Sequence, residues 1–176
     1  MNNLHMREGK VEFRWKRWRN KKRQEVSSCL MVLFSGMVLL GAGGVALAGP
    51  TGGQVTGGTG TITQNGGTTN IDQTSNVLNI NWTDFSIGQT ETVNFNQPDS
   101  NALAINRVIG GVPSQLAGAL NANGRVFILN SAGITFTGTS HVNVGALLAT
   151  TAMTVNGDPT KAASYSGTGY GAVINQ

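Results

Sequence analysis

The sequence predicts an all-β chain coiled as a parallel β-helix, and three observations carry that expectation. Residues 49–176 hold 20 glycines, 19 threonines and 15 asparagines but one lysine, the make-up of β-prone segments joined by tight turns. No stretch of that part has the apolar spacing of an amphipathic helix of ordinary length; residues 116–120 (LAGAL) allow at most one short helical turn. Finally, some of its short apolar runs are apolar on both faces. Both faces must then be covered without helices, by a sandwich, a barrel or a coil of strands stacked on itself. Short rungs and Asn/Gly turns with few prolines favour the coil, a solenoid in which each turn covers the one before. A β-sandwich of the same composition is the alternative.

The first 48 residues obey a different logic. Nine of the twelve basic residues lie in residues 1–25, which net +6, whereas residues 49–176 net −2. The aromatics Phe13, Trp15 and Trp18 among those charges would suit nucleic acid. The next segment argues against such a partner: an uncharged run at 29–40 leads into small residues ending in Ala46-Leu47-Ala48. A long basic n-region, an apolar core and Ala46 and Ala48 at the cleavage site read as an export signal over 1–48, cut after Ala48. Residues 29–48 are also long enough for an uncleaved membrane anchor, but glycines at 41, 43 and 44 break such a helix. The single cysteine, Cys29, lies inside the apolar core, so a processed chain holds none. That excludes a disulfide framework and a Cys-rich zinc module. Two histidines, His5 and His141, exclude a His-rich metal site, and no cofactor is expected.

In the exported part, residues 49–75, rich in Gly and Thr, read as an N-terminal capping segment, and 76–176 as the β-helix proper. Residues 77–82 alternate, with Leu78, Ile80 and Trp82 on one face. Residues 92–95 place Val93 and Phe95 together. Residues 102–106 and 125–129 are apolar on both faces, and 134–137 put Ile134 beside Phe136. Val142 and Val144 flank Asn143, and 172–175 is a last strand. Asn123-Gly124 opens one strand and Ala132-Gly133 the next, nine residues later. Asn106 and Asn130 sit at strand ends, where amides can bond along a stack.

Ordered blocks across residues 77–151 carry a family resemblance. They run Asn79-Ile80-Asn81-Trp82 with Phe85-Ser86-Ile87-Gly88; Val93-Asn94-Phe95-Asn96-Gln97-Pro98; Asn106-Arg107-Val108 with Gly110-Gly111; Asn121 to Phe127; Asn130-Ser131-Ala132-Gly133-Ile134; and Val142-Asn143-Val144-Gly145 with Leu147 to Thr151. This stretch resembles the N-terminal secretion (haemagglutination activity) domain of two-partner secretion exoproteins, the filamentous haemagglutinin family. The resemblance implies a right-handed parallel β-helix. It also implies passage through the periplasm and export by a dedicated outer-membrane two-partner secretion transporter with periplasmic recognition modules. The localisation it implies is the medium or the surface of a Gram-negative-type bacterium, and the role is that of an adhesin head without enzymatic activity. A host-cell or glycan receptor would be met by regions outside this chain. The residues expected to serve recognition by the transporter are Asn106, Arg107, Asn123, Gly124, Asn130, Ser131, Ala132, Gly133 and Asn143. Two departures stand out. The family tetrad Asn-Pro-Asn-Gly reads Asn130-Ser131-Ala132-Gly133 here, so the turn loses the φ preset by Pro and keeps only the permissive Gly. The chain is also about half the family domain's length, and residues 171–176 read as the opening of a further coil, so the domain is expected to be incomplete at its C-terminus.

The chemistry-bearing residues are sparse. His141 reads as a turn residue. Asp72, Asp84, Glu91, Asp99 and Asp158 are unevenly spaced and read as turn acids rather than a catalytic pair. The glycines of 51–67 lack the lysine and helix of a phosphate loop. Arg107 and Arg125 read as turn-bonding or solubilising groups, and Trp82 and Phe85 as core. Two other classes stay open on residues alone: a small self-assembling β-rich surface protein, and a β-helical polysaccharide-processing enzyme.

Overall fold

Parallel pairing between residues one coil apart sets the architecture. The computed structural model describes residues 49–158, 162–167 and 169–176. The expected export signal over 1–48, with Ala46, Ala48 and Cys29, lies outside the described residues. In the described part every regular element is a strand: β1 Gln54–Gly57, β2 Gly60–Asn65, β3 Thr68–Gln73, β4 Val77–Trp82, β5 Thr92–Asn96, β6 Leu103–Val108, β7 Ser114–Leu116, β8 Ala119–Ala122, β9 Arg125–Leu129, β10 Ile134–Phe136, β11 His141–Asn143, β12 Ala146–Thr150, β13 Thr154–Asp158, β14 Ala162–Ser166 and β15 Val173–Asn175. They form a parallel β-helix of about three turns, with three faces, β1-β4-β6-β9-β12, β11-β8-β5-β3-β2 and β15-β10-β7. Along the first face Val77 pairs with Leu103, Leu103 with Arg125 and Arg125 with Ala146, steps of 26, 22 and 21 residues. A sandwich is thereby replaced by the coil, since its strands would pair mainly antiparallel.

Alternation along each strand sends one set of side chains inward, and the parallel register stacks that set into columns. Leu78, Ala104 and Val126 form one column, Val93 and Leu120 another, and Ile71 and Phe95 a third. All are buried. Residues 116–120 correct the sequence reading: the segment is not a helical turn. Leu116 ends β7 and Leu120 lies in β8, both buried, and Ala117-Gly118 turns the corner between two faces. At that corner a Cβ on Gly118 would meet Ile87 Cγ2 at 2.9 Å, so no side chain fits where the coils pass.

Antiparallel strands close the N-terminal end. β1 pairs with β4 and β2 with β3, while β3 already runs parallel to β5 and so belongs to the first coil. The indole of Trp82 explains part of the glycine richness: a Cβ on Gly53 would run into its ring. Trp82 also meets Phe85 edge-on, with centroids 5.4 Å apart.

A second cluster lies outside the column. Leu103, Ile105 and Leu129 point away from the interior, yet are buried among Val77, Phe127 and Val155. The hairpin β13–β14, which the alternation does not reveal, covers them: Val155 packs there, and Tyr165 meets Phe127 edge-on at 6.2 Å. This is why β6 and β9 are apolar on both faces. Burial pushes the Tyr165 phenol above its ordinary 10.0.

Replacing Tyr165 with Ala removes the ring pair, worth about 1 kcal/mol. The expected outcome is faster amide hydrogen exchange across β13 and β14, with protection of the inner strands β4, β6 and β9 unchanged.

Candidate functional site

Amide side chains, not charges, make up the polar structure of this fold. Three of their arrangements sort the residues expected to serve recognition.

The first is internal. Asn106 stands in the column between Ile80 and Ile128 and is 0% exposed. Its position is mid-strand in β6, not at a strand end, because β6 runs on to Val108. Its Oδ1 accepts from Trp82 Nε1 at 2.9 Å, and its Nδ2 donates to Phe127 O at 3.2 Å. A buried amide in an apolar column is tolerable only when both ends are bonded, as here.

The second is a corner. Gln97 is buried, and its Nε2 reaches Gln73 Oε1, Ala102 O and Arg125 O. Gly124 N donates to Gln97 Oε1 at 2.9 Å. One coil later, Asn123 pairs with the Gln97 backbone in both directions at 2.7 Å, accepting from its N–H and donating to its carbonyl. The side chain thus imitates a strand neighbour at a bend where no ladder exists. A Cβ on Gly124 would stand 2.8 Å from Ala102 O, so the corner is closed to larger residues. Residues 130–133 form a related turn. Asn130 Oδ1 accepts from Ala132 N at 2.9 Å, its Nδ2 donates to Val112 O and Ser114 Oγ, and its carbonyl accepts from Gly133 N at 3.0 Å. Gly133 takes φ +121°, a conformation open to Gly. The Asn130 side chain thus supplies the turn closure expected to be weakened by Ser131 and Ala132.

The third is external. Asn70, Asn94, Asn121 and Asn143 occupy equivalent positions on β3, β5, β8 and β11. Asn94 Nδ2 donates to Asn70 Oδ1 at 2.9 Å, and Asn121 Nδ2 to Asn94 Oδ1 at 3.0 Å. Beside this ladder Asn96 donates to Asp72 at 2.7 Å. Asn70, Asn94, Asn96 and Asn121, with Gln97, Asn123 and Asn143, line an open groove of about 610 Å³. Sequence reasoning missed Asn70, Asn94 and Asn121 as a set. The signal was present as an Asn between two apolar residues in Val93-Asn94-Phe95, Leu120-Asn121-Ala122 and Val142-Asn143-Val144, but the unequal coil lengths hide its period.

The expected recognition residues therefore separate by accessibility. Asn123 and Asn143 are exposed on the groove, and Arg107 and Ser131 are half-buried beside Met153. Asn106, Gly124, Asn130, Ala132 and Gly133 are buried, so their side chains cannot touch a partner of the folded domain. The two arginines among the described residues are spent on backbone: Arg107 Nη1 donates to Met153 O at 2.7 Å, and Arg125 Nε to Asn101 O at 3.0 Å. The acids bond locally. Ser86 Oγ donates to Asp84, and the N–H groups of Asn101 and Ala102 donate to Asp99. His141 is exposed on β11. Among the described residues no three His, Cys, Asp or Glu side chains converge.

Comparison with known proteins fits a coil built this way. The family model described as the TPS secretion domain, that of two-partner secretion, matches residues 46–175. The chain belongs to the TPS secretion domain family. This is a family of secretion domains of exoproteins, not one of enzymes. The crystal structure of the HMW1 secretion domain from Haemophilus influenzae is similar, with TM-score 0.61 and 30% identity over 72% of this chain and 35% of that one. Two curated heme/hemopexin-binding proteins of Haemophilus influenzae are also similar, one of them from strain Rd. They are 42% identical over 102 residues and 48% identical over 81. Those matches cover 58% and 46% of this chain but 11% and 9% of the relatives, so the chain spans about a tenth of their length. In this TPS secretion domain, then, most of the motif residues build the coil.

Two effects on stability are expected. Asn106→Leu strands the Trp82 N–H in the core and costs about 1–3 kcal/mol in urea unfolding. Adding Trp82→Phe removes one stranded donor, so the double variant loses less than the sum of the singles. Asn94→Ala severs both links of the external ladder and costs about 1–2 kcal/mol, with the core columns unchanged by hydrogen exchange.

Proposed function

We propose that this domain is the head of a secreted exoprotein and addresses it to an outer-membrane two-partner secretion transporter. In this reading residues 1–48 are an export signal removed after Ala48, and the periplasm is an intermediate station. The observation that carries it is the family match over residues 46–175, which spans the described coil from end to end. Adhesion by the larger product is part of the proposal and rests on the family resemblance alone.

Accessibility divides the recognition into two stages. Before the coil closes, the chain is extended and residues 106–107, 123–124 and 130–133 are open to the transporter's periplasmic modules, which take them by strand addition. Once the coil has formed outside, Asn106, Gly124, Asn130, Ala132 and Gly133 are buried, and burial of each new rung on the last favours forward movement. The groove asparagines Asn123 and Asn143 remain accessible in both stages. The heme/hemopexin binding named for the two relatives is not part of this reading. The groove is lined by amides with Phe95 and Ala122, which offer haem iron no imidazole, thiolate or thioether ligand.

End-to-end self-association is a second reading. Val142, Leu147, Val173 and Ile174 on β11, β12 and β15 are exposed apolar residues on the edge strands of the three faces. Sedimentation of the purified domain separates the two, since concentration-dependent polymers favour association.

Asn130→Ala and Gly133→Ala are expected to stop appearance in the medium while periplasmic entry and signal removal continue. Immunoblots of cells, periplasm, outer membrane and medium read this out. Urea unfolding of the same variants separates lost recognition from lost folding. Normal amounts in the medium would refute recognition at this turn.

A further inference from the structure

Glu91 is an acid placed in the interior. It is 8% exposed, whereas Asp72 and Asp99 are exposed and Asp84 half-buried. A carboxylate out of water needs strong partners. One is the Gly88 N–H, which donates to Oε2 at 2.6 Å. The described arginines do not serve it, since they bond the Met153 and Asn101 carbonyls. Beside it lies Gly49. The position of a Cβ on Gly49 is 3.5 Å from Glu91 Oε2 and 3.5 Å from Thr69 Oγ1. Cβ and amide nitrogen share Cα and are about 2.5 Å apart, so the Gly49 nitrogen lies within about 6 Å of Oε2. The neighbouring chain is held: Gln64 Nε2 donates to the carbonyl of buried Pro50, and Thr51 N donates to Asp84 O at 2.8 Å.

Hydrolysis of the Ala48–Gly49 peptide bond adds one water and leaves a carboxylate on Ala48 and an ammonium on Gly49. We infer that Glu91, with Thr69, is the seat of the Gly49 α-ammonium. Signal removal then converts an uncharged amide beside a buried carboxylate into its counter-ion, and fastens the start of the chain to the corner before β5. This rests on the proposed cleavage after Ala48. Opposite charges attract at this range, and three ammonium protons suit two acceptors.

The test uses the full chain expressed with its own signal in a Gram-negative host, and the processed form taken from the periplasm. Mass spectrometry fixes its first residue. A start at Gly49 supports the placement, and any other start removes the charge from Glu91 and overturns it. That outcome is separate from the energetic one. In a Lys161→Arg background the α-amine is the sole primary amine from Gly49 onward, so acetylation is specific. Acetylation is expected to lower the folding equilibrium constant about tenfold with Glu91 present and less than about twofold in Glu91→Gln. Equal losses in both would overturn the pairing. Should Glu91→Gln not fold, acylation rates of the unmodified protein decide. Slowing by about tenfold in the folded state relative to urea supports the seat, and equal rates overturn it.

Discussion

In-register parallel stacking is the constraint on which this structure depends. When a strand lies directly over the strand one coil earlier, each side chain meets its counterpart. Leu78 meets Ala104 and Val126, and Asn94 meets Asn70 and Asn121. Apolar positions then merge into columns and amide positions into ladders, and a change at one rung is felt by both neighbours. Coil length is free to vary, because corners absorb the difference while the strands keep register. Steps of 26, 22 and 21 residues on one face show how much is absorbed.

The corners make that tolerance possible, and amides with glycines make the corners. A bend leaves backbone groups without ladder partners, and buried ones must be paired. Gln97, Asn123 and Asn130 pair them with side chains that both donate and accept; a carboxylate only accepts, an ammonium only donates, and either would desolvate a charge. Gly124 and Gly118 leave room for the coils to pass at these points.

A recognition element built from such residues has a built-in order of events. In the proposed reading, the corner residues Gly124, Asn130 and Gly133 are open while the chain is extended and buried after it coils. The exposed groove amides persist on the finished surface. Under the proposed function, recognition of the extended chain and stability of the folded product draw on one set of positions.

Much of the fold was legible in the residues. The alternation of 77–82 and the paired apolar positions of 125–129 and 134–136 mark strands by composition and period alone, and the ordered Asn/Gly blocks point to the family. The sequence by itself determined that the chain is all-β, that its polar chemistry is amide rather than ionic, and that its basic N-terminus and its remainder are separate regimes. Tertiary structure alone decided which apolar face of β6 and of β9 is inside. β6 and β9 are apolar on both sides because the distant hairpin β13–β14 covers the outer one. It also decided that Asn106 and Asn130 are buried ties, that the asparagines of four strands form one ladder, and that Glu91 lies beside Gly49. These facts depend on residues brought together across coils of unequal length, and no fixed spacing along the chain records that register.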